Sequence, residues 1–298
     1  MGVVGVNGHL LTHAEEPTDA RRGPEAVLAT LQQTIRTLTP SAAPPLAVGV
    51  ACAGQIDPAT GAVVYAPNLG WRDVPLGALL AQAFGVPVVV ENDVRAAAWG
   101  EFVAGAGGRE GSLVAVFVGT GVGSGAVLDG RLWRGAGNAA GEVGHTQVVP
   151  DGLPCRCGRN GCLEQYVSGS GFQRRLAAAV TAGRASRLIA VCDGDASRLV
   201  ARDVYEAALE GDALARELWS DATGLLTMAV ANYVTVLNPR VLVMGGGVIA
   251  TVPALFDAVV EGVPKLTTIL GARSLRIERA ALGDLSGLIG AAALATPA

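Results

Sequence analysis

Positive charge is in short supply: 22 Lys and Arg stand against 26 Asp and Glu, for a net charge of −4. That balance excludes a basic footprint of the kind that grips nucleic acid. Long hydrophobic runs are missing as well. The most apolar stretches, Val86–Val90, Leu113–Val118 and Val241–Met244, fall far short of the roughly 20 residues a membrane span requires. Met1–Leu11 has neither a basic n-region nor an unbroken apolar core, so no secretory signal is expected. Val6 stands where a myristoylation signal wants Ser or Thr. Five cysteines in 298 residues are too few for a disulfide framework. Their usage is cytoplasmic in character, with Cys52 and Cys192 read as separate buried thiols.

Apolar residues are plentiful, at 50%, enough to build one large domain or two ordinary ones. Helix-period segments alternate with short β-branched runs. Val27, Leu28, Leu31, Ile35 and Leu38 mark an amphipathic helix with start signals between Asp19 and Pro24. Strands are expected at Leu46–Ala51, Pro87–Val90, Leu113–Val118 and Val241–Met244, and helices at 168–182, 200–210 and 212–237. This alternation implies an α/β protein. The glycine-rich stretch Ala104–Gly111 reads as a domain boundary. A weak internal repeat is also present: Asn7-Gly-His-Leu-Leu11 echoes Asp129-Gly-Arg-Leu-Trp133. The second copy is preceded by strand, glycine loop and strand. The first begins inside what should be the second strand, so either the equivalent first strand and glycine loop are absent or the two short turns are alike by chance.

His145, Cys155, Cys157 and Cys162 form a Cys3His set with C-x-C-x4-C spacing, suited to tetrahedral zinc. All four positions are filled by protein, so the metal is expected to clip a loop rather than do chemistry. The set lies between Glu142 and Glu164, and carboxylates are good partners for the vicinal hydroxyls of sugars. Gly119-Thr120-Gly121-Val122-Gly123-Ser124-Gly125 follows a strand and could cradle phosphate with its backbone N–H groups. What comes next looks like another strand, which disfavours a dinucleotide fold and leaves a phosphate-binding or an ordinary hairpin. Gly245-Gly246-Gly247 follows another strand and either admits a nucleoside or only turns the chain. Glu91-Asn92-Asp93 sits at a strand's carboxyl end, where open α/β sheets bind ligands. Asp93 there is either a general base for a hydroxyl attacking phosphorus or a helix N-cap. His9 and His13 are read as surface residues, and Trp71, Trp133 and Trp219 as packing residues.

Taken together, these residues resemble the ROK family of bacterial sugar kinases and related repressors. Gly141-Glu-Val-Gly-His145 with Cys155-Arg-Cys-Gly-Arg-Asn-Gly-Cys-Leu-Glu164 carries most of the likeness. Ala53-Gly54, Asp57 and Pro67-Asn68-Leu69 support it. The resemblance implies a two-lobed actin-like, hexokinase-like (ribonuclease H-like) ATPase fold with a cleft. The small lobe would be 1–111, completed by a C-terminal helix within 286–298, and the larger lobe 112–285 would carry the zinc loop 145–162. It implies a cytoplasmic homodimer or homotetramer with ATP, Mg²⁺ and structural Zn²⁺, and no nucleic-acid or membrane partner. Asp93 would be the base on a hexose hydroxyl, glucose 6-OH above others. Asn68, Asn92, Glu142, His145 and Glu164 would bind the sugar. Gly119, Thr120, Gly121 and Gly123 would contact ATP phosphates, with Gly245, Gly246 and Gly247 near the adenosine. Family kinases open with a strand and a D-x-G-G-T phosphate loop that this sequence does not show. Either the chain starts downstream of its true start, or it is a short form that binds sugar without phosphorylating it. Which hexose is used, and whether ATP or polyphosphate is the donor, lie outside the motifs.

Overall fold

The structure, a computed structural model, describes residues 1–39 and 44–296. The chain divides into two compact units: Met1–Glu110 with Gly125–Gly141 and the segment from Ala281 onward, and Gly111–Ser124 with Glu142–Ala280. The excursion Gly125–Gly141, which the expected lobe 112–285 included, groups with the first unit. The fold is α/β, of the actin-like ATPase class.

In the first unit, Gly2–Val4 pairs antiparallel with Leu10–His13, and Val48–Cys52 pairs parallel with Val88–Asn92. The strand expected from Leu46 begins two residues later and runs on to Cys52. The helix Pro24–Leu38 starts at a proline in its first turn, where the missing N–H costs nothing; its cap position is Gly23 rather than Asp19. Among the described residues Gly2–Val4 and Val48–Cys52 have one strand partner each. A cavity of about 390 Å³, lined among others by Val3, Val4, Val48, Val50 and Leu288, lies beside both strands. An unforeseen antiparallel sheet, Gln55–Ile56, Val63–Ala66 and Trp71–Val74, follows. Its inward residues Ile56, Val63 and Trp71 join Val27, Leu28, Cys52, Leu76, Leu80 and Val90 in the core.

Asp93–Ala104 is the unit's central helix, and Ser286–Ala295 lies directly against it. The contact is backbone on backbone. A Cβ added at Gly290 would sit 1.7 Å from Ala96 O, and one at Gly100 would sit 2.3 Å from Ser286 O. Only glycine allows that approach. Glu101, fully buried, fastens the two helices: its carboxylate accepts from Ala106 N, Ala281 N, Leu282 N and Ser286 Oγ at 2.8–3.1 Å. The C-terminal helix expected within 286–298 runs from Ser286 to Ala295, and residues 297–298 lie outside the described residues.

The second unit is built on Leu113–Val118, which pairs parallel with Val241–Gly245; that strand in turn pairs parallel with Arg276–Arg279. Leu113–Val116 and Val241–Gly245 are buried throughout, which is why both read as unbroken apolar runs. Val122–Leu128 forms the other neighbour of Leu113–Val118 and passes at Gly125 into the first unit. There Ala126–Leu128 pairs antiparallel with Arg131–Trp133. The helices Gly169–Thr181, Ala201–Leu209 and Ala213–Leu237 match the expected ranges to within a residue or two at each end. Asp212 caps the longest, accepting from Ala215 N, and Asn238 ends it in the left-handed conformation. Trp71 is buried as expected, whereas Trp133 is 40% exposed on its three-residue edge strand and does not pack a core. Among the described residues no helix is long and apolar enough to cross a membrane.

Candidate functional site

At the end of Val88–Asn92 the chain turns straight into a helix, and its three polar residues divide the work. Asn92, not Asp93, is the cap: its Oδ1 accepts from Val94 N and Arg95 N, each at 3.1 Å, and its Nδ2 donates to Gly54 O at 3.3 Å. Asp93 is the first helical residue. Burial pushes its carboxyl above the usual carboxylate range, while the helix's first N–H groups, Arg95 and Asn92 pull the other way. A cavity of about 310 Å³ brings Asp93 together with Cys52, Ala53, Leu69 and Trp71. Burial, helped by the charge on Asp93, pushes the Cys52 thiol up to about 11, so it stays protonated. Asn68 lies on the exposed turn that follows Ala66, and neither it nor Asn92 lines this cavity.

Glu91, the first of the three, was not singled out in the sequence. It is 2% exposed and accepts from Asn92 N at 2.8 Å and Arg95 Nε at 2.9 Å, and Arg134 Nε lies 2.6 Å from its other oxygen. Arg95 Nη2 makes an ion-pair contact with Glu91 at 2.7 Å, off the hydrogen-bond axis. The only hint in the sequence is a Glu and an Arg four residues apart across a strand–helix junction.

In the second unit the two glycine loops adjoin. Gly119–Gly121 closes a hairpin through Gly119 N to Gly121 O at 2.9 Å, and a Cβ at Gly119 would lie 3.7 Å from Gly247 N. Both loops leave the carboxyl ends of neighbouring parallel strands, where ligands of such sheets bind. Gly246, at φ 89°, has room for no side chain: a Cβ would meet Val118 O at 2.4 Å. Gly245 is buried between Ala280 and Phe117, whereas Gly247 is exposed. Thr120 and Gly123 lie within the hairpin, Thr120 exposed. The helix expected at 168–182 abuts it, a contact the sequence did not indicate: Gly169 N donates to Gly119 O at 2.9 Å and Ser170 N to Thr120 O at 3.3 Å. The run Ser168-Gly-Ser-Gly171, ahead of an apolar helix, was the available signal.

The carboxylate wall and the glycine hairpin meet at Val122. Its N–H donates to Glu164 Oε2 at 2.9 Å, and its carbonyl lies where a side chain at Gly144 would have to go, at 2.1 Å. Glu142 is exposed and precedes the short turn Val143–His145. The four zinc-type ligand atoms of His145, Cys155, Cys157 and Cys162 all lie within 4.8 Å of one another. His145 Nδ1 is 3.6 Å from Cys155 Sγ, and Cys157 Sγ is 3.5 Å from Cys162 Sγ. Metal–sulfur bonds of about 2.3 Å at tetrahedral angles would set sulfurs about 3.7 Å apart, so the donor set fits zinc. Gln165 Nε2 donates to Cys155 Sγ at 3.3 Å, a neighbour that orients the ligand. Against the opposing effect of burial, hydrogen bonds from Arg159, Cys155 and Cys162 bring the Cys157 thiol down to about 6.

Glycine loops at strand ends and a Cys3His cluster flanked by carboxylates thus stand together in the second unit of an actin-like ATPase fold. The ROK family model matches residues 1–298, and the chain belongs to that family. Glucokinase from Streptomyces coelicolor is 32% identical over 297 residues, covering 99% of this chain and 93% of that protein. Among solved structures, a ROK family glucokinase from Streptomyces griseus in complex with glucose and AMPPNP is 33% identical with a TM-score of 0.78, covering 99% of this chain and 94% of that one. A ROK hexokinase from Thermus thermophilus is 30% identical with a TM-score of 0.81, covering 99% and 93%.

Proposed function

We propose that this protein transfers the terminal phosphoryl group of ATP to a hexose, glucose above others, at the 6-hydroxyl. The observation that carries the reading is the division of labour in Glu91-Asn92-Asp93. Asn92 takes over the helix cap, which leaves Asp93 for chemistry at the carboxyl end of a strand. Asp93 accepts the proton of the sugar hydroxyl while that oxygen attacks the γ-phosphorus; the bond to the bridging oxygen breaks and ADP leaves. Burial raises Asp93 above an ordinary aspartate, which suits a base that must take and release a proton.

The other residues take complementary roles in this reading. Asn68, Asn92, Glu142, His145 and Glu164 bind sugar hydroxyls. Gly119, Thr120, Gly121 and Gly123 receive the ATP phosphates, delivered as the magnesium complex, with Gly245, Gly246 and Gly247 near the adenosine. His145, Cys155, Cys157 and Cys162 hold a structural zinc, which supplies rigidity and no step of the reaction. Glu164, through its bond from Val122 N, links sugar recognition to the phosphate hairpin. The likeness to a glucokinase solved with glucose and AMPPNP supports the choice of substrates.

A coupled assay with ATP, magnesium and a panel of glucose, mannose, fructose and N-acetylmannosamine tests the reading. Turnover by the wild type and its loss in Asp93→Asn are expected. Glucose binding by calorimetry without any turnover would replace the kinase by a sugar-binding regulator.

A further inference from the structure

Behind the Asn92–Asp93 turn lies a charged cluster that meets the groups assigned to substrate only at Asn92. Glu91 and Arg95 are each 3% exposed at the side chain, and Arg134 is 38% exposed. One carboxylate faces two guanidiniums. Arg95 Nη1 reaches on to Asn138 O at 2.8 Å and Ala140 O at 3.4 Å, and Asn138 Nδ2 donates to Ile56 O at 2.6 Å. The cluster thereby ties the strand–helix turn to the loop Arg134–Gly141 within one unit.

Stability alone is a poor reason for such a cluster. Desolvating the ions offsets most of their attraction, and apolar replacements of buried ion pairs are often as stable or more so. What the cluster does fix is geometry. Glu91 Oε1 holds the amide of Asn92, and Asn92 holds the amides of Val94 and Arg95; Asp93 is the residue between them. Arg134 pins the other oxygen of Glu91, so the carboxylate cannot turn away from the Asn92 amide.

We propose that Arg134, acting through Glu91, is a positioning residue for Asp93, with Arg95 as the fixed member of the same clamp. Without Arg134, Glu91 Oε2 is left buried and unpaired. The carboxylate rotates to satisfy it, and the turn that aims Asp93 loosens. The kinetic part of this inference rests on the hexose kinase reading; the structural part does not.

Arg134→Met is the informative change, because the side chain is partly exposed and its truncation opens no cavity in the core. The expected result is a kcat lower by about 10- to 100-fold, the scale of an ångström's misplacement. The glucose KM changes less than kcat, by about threefold, because Asn92 is the one sugar-assigned residue in that turn. Arg134→Lys restores most of kcat by returning a cation to Glu91. Hydrogen exchange in the full chain gives a second readout: in Arg134→Met the amides of Asn92–Arg95 exchange faster, while Gly169–Thr181 is unchanged. If the wild type shows no turnover, the kinase reading fails by itself and the exchange measurement still decides the positioning role. Unchanged exchange at Asn92–Arg95 overturns the proposal. So does an unchanged kcat, or a kcat loss that Arg134→Lys does not relieve.

Discussion

Glu101→Gln is a one-atom change with a calculable effect. The carboxylate accepts four hydrogen bonds, two on each oxygen: Leu282 N and Ser286 Oγ on one, Ala106 N and Ala281 N on the other. The amide keeps one oxygen and points an NH2 group at the other pair. Whichever way it turns, two donors lose their acceptor and face a donor instead. The better arrangement turns the NH2 toward Leu282 and Ser286, because Ser286 Oγ already donates to Gly283 O at 2.7 Å. One backbone N–H then goes unpaired in a fully buried site, while Ser286 Oγ gives its single proton to Gly283 O and accepts from the NH2. At about 1–3 kcal/mol for the unpaired N–H and about 1 kcal/mol for exchanging a charged acceptor for a neutral one, the loss is about 2–4 kcal/mol. That is a large part of a total stability of about 5–15 kcal/mol. Urea unfolding followed by circular dichroism measures it, with the m-value expected to hold. Hydrogen exchange locates it, with Ala281–Ala295 losing protection first. A loss below about 1 kcal/mol would refute the bond-by-bond reasoning.

Further outcomes are expected at three positions. Asp93→Asn abolishes turnover yet raises stability at pH 7: burial raises the folded pKa, so the ionised carboxylate costs stability as pH rises through that pKa, and the advantage of Asn vanishes below the unfolded value of about 3.9. The same shift places the acid limb of kcat/KM above the range of an ordinary aspartate, measurable in a pH series. Cys157→Ala removes one of four zinc-type ligands, and metal analysis by mass spectrometry is expected to fall from about one zinc per chain toward zero, with weaker glucose binding in calorimetry. Gly246→Ala forces a side chain into a conformation open only to glycine and against Val118 O, costing at least about 2 kcal/mol in urea unfolding and raising the KM for ATP.

The sequence disclosed the elements whose signals are local. Leu113–Val118 and Val241–Gly245 are apolar throughout because they are buried on both faces. The ligand spacing of the Cys3His loop survives in a linear reading because three of its members lie close along the chain. The sheet Gln55–Val74 did not show, since its strands are two to four residues long and separated by turns. Nor did Arg276–Arg279, a strand with charge at three of its four positions. Glu91, Arg95 and Glu101 carry no linear sign of burial, and only tertiary packing buries them. Deciding between Asn92 and Asp93 as the cap likewise needed backbone geometry, because either residue type serves.

The return of Ser286–Ala295 to the helix Asp93–Ala104 has a consequence for how the molecule is made. Ser286 is translated 185 residues after Glu101, to which it bonds; at cellular rates of about 5–20 residues per second the delay is about 10–40 s. Throughout that interval the groove formed by Ala96, Gly100 and Gly49, too shallow for any side chain, stands open on the nascent first unit. Every segment of the second unit lies between Gly111 and Ala280, and so is translated before Ser286–Ala295. The first unit therefore cannot close until the second has been synthesised.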